Sequence, residues 1–220
     1  MGLFKSYNMY VNRKIRLLGY VVYPVVLITA SILFTGITYN LGGVLALLIS
    51  TPFVSVLVDA FADRLTVGPI YAEKGKSEEL LKSSTKGKEL IEGVIHAEML
   101  IRIFQGVITF GGIVLVTMIS GHYMDMMDRI LSSACLGFFT FYMTSTLLIQ
   151  VSRDTSNNDE ITILITVMLM LGIPAAIGVA SGSLVFIWIL CGSYLIPGII
   201  FTVMSLKSLR TLVEVKWYED

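Results

Sequence analysis

Apolar residues in this chain arrive in long runs rather than at amphipathic spacing, over roughly 18–38, 42–62, 103–120, 130–151, 161–180 and 184–205. A run of about 18 or more residues with few charges is long enough to cross the ~30 Å hydrocarbon core as a helix. The pattern therefore predicts an all-α integral membrane protein with six transmembrane helices in a single domain. Two stretches break it. Residues 1–17 place Phe4, Tyr7, Val11 and Ile15 on one helical face, with Lys5, Asn8, Asn12, Arg13 and Arg16 on much of the other. That predicts a helix lying in the membrane plane with its basic face toward the headgroups. The second break spans 63–102. It opens with turn residues Gly68-Pro69 and Gly75, then reads as a short helix over 77–83 and cap candidates Ser83-Ser84-Thr85. From Lys88 on, Leu90, Ile91, Val94, Ile95 and Met99 form one face and Lys88, Glu89, Glu92 and His96 the other. With no break before Phe104, one helix over 88–120 is expected to run into the third span and extend ~50 Å, beyond the hydrocarbon thickness.

Charge turns this pattern into a topology. Only 15% of residues are charged, against ~25% in an ordinary soluble domain. Fifteen of the sixteen Lys and Arg lie before the first span, in the 63–102 and 152–160 loops, or after the last span. The other side keeps Arg129 alone. This bias predicts that both termini and the 63–102 loop are cytoplasmic, with 206–220 as a cytoplasmic tail. The first apolar run is about 20 residues long, more than a signal-peptide core, and no A-x-A-like site follows it; it reads as a retained anchor. Cys135 and Cys191 both fall inside predicted spans, which argues for small buried hydrophobes rather than a disulfide or a thiolate metal site.

Chemical motifs are sparse. Gly75-Lys76-Ser77 resembles the tail of a phosphate-binding loop, but the position that needs the earlier glycine holds Ile70, and a membrane span precedes it rather than a strand. Ala180-Ser181-Gly182 has no histidine within a span to activate its serine. Asp59 and Asp63 share a helical face near the predicted cytoplasmic interface, without the further acids that a metal-dependent lipid enzyme needs. His122, Asp125 and Asp128 fit a hydrated loop. Pro24, Pro52, Pro174 and Pro197 fall inside spans one, two, five and six, where each is able to kink its helix. Gly172, Ala176 and Ala180 form a small-residue stripe suited to close helix packing. Gln105, Thr140, Tyr142, Thr144 and Gln150 are candidates to line an internal cavity, the alternative for the hydroxyls being bonds back to their own helix.

Six short spans, an in-plane amphipathic start, and a cytoplasmic helical element between spans two and three resemble type II ABC exporter permeases. The small size and the KSSTKGKELI passage are similar to firmicute peptide exporters, the phenol-soluble modulin exporters among them. The resemblance implies a dimeric permease, with a second copy or a paralogue, that performs no chemistry of its own and moves amphipathic peptides or other hydrophobic cargo out across a bacterial cytoplasmic membrane. ATP and Mg would be bound by separate ATPase subunits, and no nucleic acid is involved. It implies that the 63–102 region docks on the ATPase, with Ser84, Thr85, Lys86, Lys88, Glu89 and Glu92 as contacts. The chain departs from the family between spans five and six, where only a few residues around Ser181-Gly182-Ser183 stand in place of a helical re-entry. Other readings of a six-span chain with cytoplasmic termini are the substrate-binding subunit of an energy-coupling-factor vitamin importer and a bacteriocin-immunity membrane protein.

Overall fold

The computed structural model describes residues 21–33, 41–66, 87–154 and 160–218, with Lys5, Lys14, Leu17 and Thr35; for 59–66, Ile91, Ile95, 148–154, 160–164, Met168, 208–210 and 212–218 it describes the backbone alone. Six α-helices are found among these residues: α1 (Tyr23–Ile32), α2 (Leu41–Thr66), α3 (Gly87–Ser120), α4 (Met127–Asp154), α5 (Glu160–Ser181) and α6 (Leu184–Tyr218). A single 3-10 turn, Met124–Met126, leads into α4. No strand occurs among the described residues.

Among the described residues, four helical segments are long and apolar enough to cross a membrane: Leu41–Val58, Gly87–Ser120, Met124–Leu147 and Leu184–Lys207. Tyr23–Ile32 and Ile165–Ser181 are apolar but shorter over the described residues. The continuous helix expected over 88–120 is present as the 34 residues of α3. α6 runs without interruption past the predicted end of the sixth span to Tyr218. Most of the expected in-plane helix over 1–17, the short helix over 77–83 and the 152–160 loop beyond Asp154 lie outside the described residues.

α4 is the central helix, packed against α2, α3, α5 and α6. Two-thirds of its apolar window is buried (67%), against 22% for α6, although α4 is the least apolar of the four spanning segments. Two apolar clusters meet on it. One joins Val44, Leu48 and Val56 of α2 to Phe110, Ile113 and Val114 of α3 and Ile130, Ala134 and Phe141 of α4. The other joins Leu45 of α2 and Leu136 of α4 to Ala175 and Val179 of α5 and Ile187, Cys191 and Tyr194 of α6.

Helices approach closely where glycines meet rings. A Cβ on Gly106 of α3 would stand 2.7 Å from the Phe138 ring and 3.2 Å from Phe141, and one on Gly137 of α4 would stand 2.6 Å from Phe110. Gly172, the first member of the predicted small-residue stripe, receives the Phe53 ring of α2. Such notches let helices gain dispersion contacts where lipid removes any hydrophobic drive between them.

Neighbouring helices come close beside two of the prolines. Pro52, Pro174 and Pro197 lie inside α2, α5 and α6, while Pro24 stands in the first turn of α1, where a missing N–H costs least. A helical proline leaves the carbonyl four residues earlier without its N–H. For Pro52 that carbonyl belongs to Leu48, and its oxygen would lie 3.0 Å from a Cβ on Gly137. Next to Pro174, the Tyr194 hydroxyl of α6 donates to the Leu171 carbonyl at 2.7 Å.

The tight α5–α6 connection forms at Gly182, whose φ of +68° is left-handed and suits glycine. Gly182 N–H donates to Val179 O at 3.3 Å, Ser181 Oγ donates to Gly178 O at 2.7 Å, and Ser183 Oγ caps α6 by accepting from Phe186 N–H at 3.4 Å. Arg129 of α4 donates from Nη2 to Val179 O at 3.0 Å, placing a cation at the negative end of α5. Ser181 and Arg129 are therefore parts of a helix-end clamp. Gly121 ends α3 in the same way, with φ of +69°.

Candidate functional site

Buried polar groups occur on several helices, and α4 and α3, which carry the most, satisfy theirs differently. On α4, Ser132, Thr140, Thr144, Ser145 and Thr146 are all buried. Thr140 Oγ1 donates to Leu136 O at 2.7 Å, Thr144 Oγ1 to Thr140 O at 2.7 Å, Thr146 Oγ1 to Tyr142 O at 2.9 Å, and Ser132 Oγ to Arg129 O at 3.1 Å. A short hydroxyl satisfied by its own helix asks nothing of its surroundings. Ser133 differs: its Oγ is buried with no hydrogen-bond partner. It faces a small crevice between α2, α4 and α5, lined also by Pro52, Phe53, Gly137, Thr140 and Gly172, with about 10 Å³ of room. That is close to the least space one water molecule needs.

On α3, buried Thr117 bonds back to Ile113 O at 2.8 Å as the α4 hydroxyls do, whereas four others, Glu98, Arg102, Gln105 and Thr109, stand apart, all at most 6% exposed. Their spacing of four, three and four residues puts them on one face of the helix. Arg102 Nη2 and Glu98 Oε1 form an ion pair of 3.2 Å, with the two side chains 3% and 8% exposed. Arg102 Nη1 also lies 3.9 Å from the Met99 sulfur. Gln105 Nε2 and Thr109 Oγ1 are buried without a hydrogen-bond partner. At the residue after Thr109, Phe110 meets Phe138 edge-on at 6.4 Å, Phe138 stacks with Tyr142 at 6.4 Å, and Phe141 is 1% exposed beside them.

The five cavity candidates from the sequence are thus dispersed. Gln105 belongs to the α3 face. Thr140 lines the crevice toward α2 and α5, and Thr144 follows it one turn on. Tyr142 points to α6, where its hydroxyl and that of Thr202 share a 2.6 Å hydrogen bond and its ring packs on Gly198. The side chain of Gln150 lies outside the described ones.

Of the six contact candidates, Ser84, Thr85 and Lys86 lie outside the described residues. Lys88, Glu89 and Glu92 occupy the first turns of α3, with Glu89 exposed and the other two half-buried. His96, also exposed, bonds through Nδ1 to Glu92 O at 2.7 Å. Val94 and Met99 of the predicted apolar face are buried, and so is Ala97 beside them.

Sequence reasoning assigned Arg102 to the cytoplasmic loop and passed over Glu98. The available signal was their spacing, since an acid and a base four residues apart pair on one helix face. Among the described residues, no three His, Cys, Asp or Glu side chains converge as a metal-binding group; the side chains of Asp59 and Asp63 are outside the described ones. No family model, no curated protein and no solved structure matches this chain.

Proposed function

We propose that this chain is the membrane-embedded permease subunit of an ATP-driven exporter, moving amphipathic peptide or other hydrophobic cargo with separate ATPase subunits and a second membrane copy or paralogue. In this reading all six helices cross a bacterial cytoplasmic membrane, and both termini are cytoplasmic. The carrying observation is the length of α3. Its 34 residues rise about 50 Å, whereas the hydrocarbon core takes up ~30 Å. About 20 Å of continuous helix is left to project, and this stretch carries Glu89 and His96 on its exposed side. A rigid helix that leaves the membrane without a break transmits a push at its tip to the bundle, as coupling to an ATPase requires. The loop before it, with Ser84, Thr85 and Lys86, supplies the remaining contacts.

Purification of the chain from its native membrane in mild detergent should bring an ATPase with it. Lys86→Glu together with Glu89→Lys should lower that recovery by about tenfold, the equivalent of ~1.4 kcal/mol of contact, and lower export in step. A chain that purifies without an ATPase, and exports normally with both charges reversed, is not this kind of subunit.

A further inference from the structure

The α3 face that bears Arg102, Gln105 and Thr109 is unlike any other buried polar surface described here. Leaving a polar atom buried and unpaired costs about as much as losing a hydrogen bond, and native interiors rarely tolerate it. Here two such atoms, Gln105 Nε2 and Thr109 Oγ1, sit one turn apart on the same face. The Glu98–Arg102 pair continues that face toward the N-terminal end of α3.

Depth gives the arrangement a direction. Counting back from Ser120 at the far end of α3, Arg102 lies about 27 Å away, Gln105 about 22 Å and Thr109 about 16 Å. In a core of ~30 Å, Arg102 sits near one interface and Thr109 near the midplane. Beyond Thr109 come Phe110, Phe138, Phe141 and Ile113 packed together, and the next buried polar group of α3, Thr117, is bonded back to Ile113 O at 2.8 Å. Glu98, Arg102, Gln105 and Thr109 thus mark a polar route that begins at an interface and stops at an aromatic cluster halfway across.

We propose that this α3 face is a water-accessible half-channel, entered at Glu98–Arg102, with Gln105 and Thr109 as its binding groups for water and Phe110, Phe138 and Phe141 as the seal. The compact packing described here is its closed arrangement. In it the two unpaired groups work against closure, so that parting α3 from its neighbours on this face recovers two hydrogen bonds. The inference needs α3 to cross a membrane and does not depend on an ATPase partner.

The test uses the full chain in membrane vesicles, with Cys135 and Cys191 replaced by Ala. Gln105→Cys, Thr109→Cys and Ile113→Cys are each treated from the Arg102 side with a membrane-impermeant, cationic methanethiosulfonate reagent. Only a thiol that meets water ionises and reacts, so Gln105→Cys and Thr109→Cys should label at least about tenfold faster than Ile113→Cys. Equal and negligible labelling at all three positions overturns the channel, and fast labelling at Ile113→Cys overturns the seal. Hydroxyl-radical footprinting of the unmodified chain keeps the proposal exposed if those variants fold poorly. Met99, beside Arg102, should be oxidised and Phe110 spared; equal protection of the two overturns the proposal as well.

Discussion

α3 and α4 both bury polar side chains, and the difference between them separates what a membrane helix hides cheaply from what it does not. α4 uses Ser and Thr, whose hydroxyls fold back onto Leu136, Tyr142 and other carbonyls of the same helix. The helix thereby becomes the least apolar and the most buried of the bundle at once. α3 has one such hydroxyl, Thr117, but it also buries the Glu98–Arg102 pair, two charges that close on each other, and Gln105 and Thr109, each with a polar atom that makes no return bond. A polar residue in an apolar run therefore says little until its reach is considered.

The sharpest way to break this contrast is to remove one charge from α3. Arg102→Leu leaves the Glu98 carboxylate buried, a loss of about 3–5 kcal/mol for breaking a buried pair. Thermal unfolding in detergent should show a large drop in Tm. The double change Glu98→Gln with Arg102→Met should recover much of it, and a double variant no better than the single one would mean that the two charges act independently. Next in size is the notch that fits α3 to α4. Gly106→Val drives a side chain into Phe138 and Phe141 and should cost about 1–3 kcal/mol, the usual range for an overpacked core; an unchanged Tm would show that the two rings move aside freely.

The smallest effects belong to α4. Tyr142→Phe removes the one bond between its hydroxyl and Thr202 of α6 and should cost about 0.6 kcal/mol, the average for such bonds between membrane helices. Thr144→Val, which removes only a bond to its own helix, should cost less still. If Thr144→Val proves the more damaging of the two, the back-bonded hydroxyls of α4 are not the passive filling described above.

Parts of the site were legible in the sequence and parts were not. Gln105 stands out as an amide inside an apolar run, which marks it as a candidate for the interior without saying that its face turns inward. Glu98 and Arg102 do not stand out, because a charged pair next to a predicted span looks the same whether it is solvated at the interface or enclosed by the bundle. The notches at Gly106 and Gly137 were illegible for another reason. A glycine announces room, but which ring fills it depends on the register between helices, and no pattern along one helix sets that. The crevice beside Pro52 and Ser133 likewise exists only because α2, α4 and α5 meet there.

What the sequence determined by itself is therefore local: helix as the secondary structure, the unbroken run of α3 through its charged start, the short break around Gly182, and the carbonyls that proline would release. Each follows from hydropathy and backbone chemistry within a few residues. Only the tertiary structure decided that α4 is central, that the α3 polar face turns inward beside an ion pair, and that Tyr142 and Thr140 serve different neighbours. The reason is that lipid tails are as apolar as a protein interior. Hydrophobicity drives each helix into the membrane but does not say which side of it should face the others, and that choice falls to shape, glycine notches and the hydrogen bonds still left to satisfy.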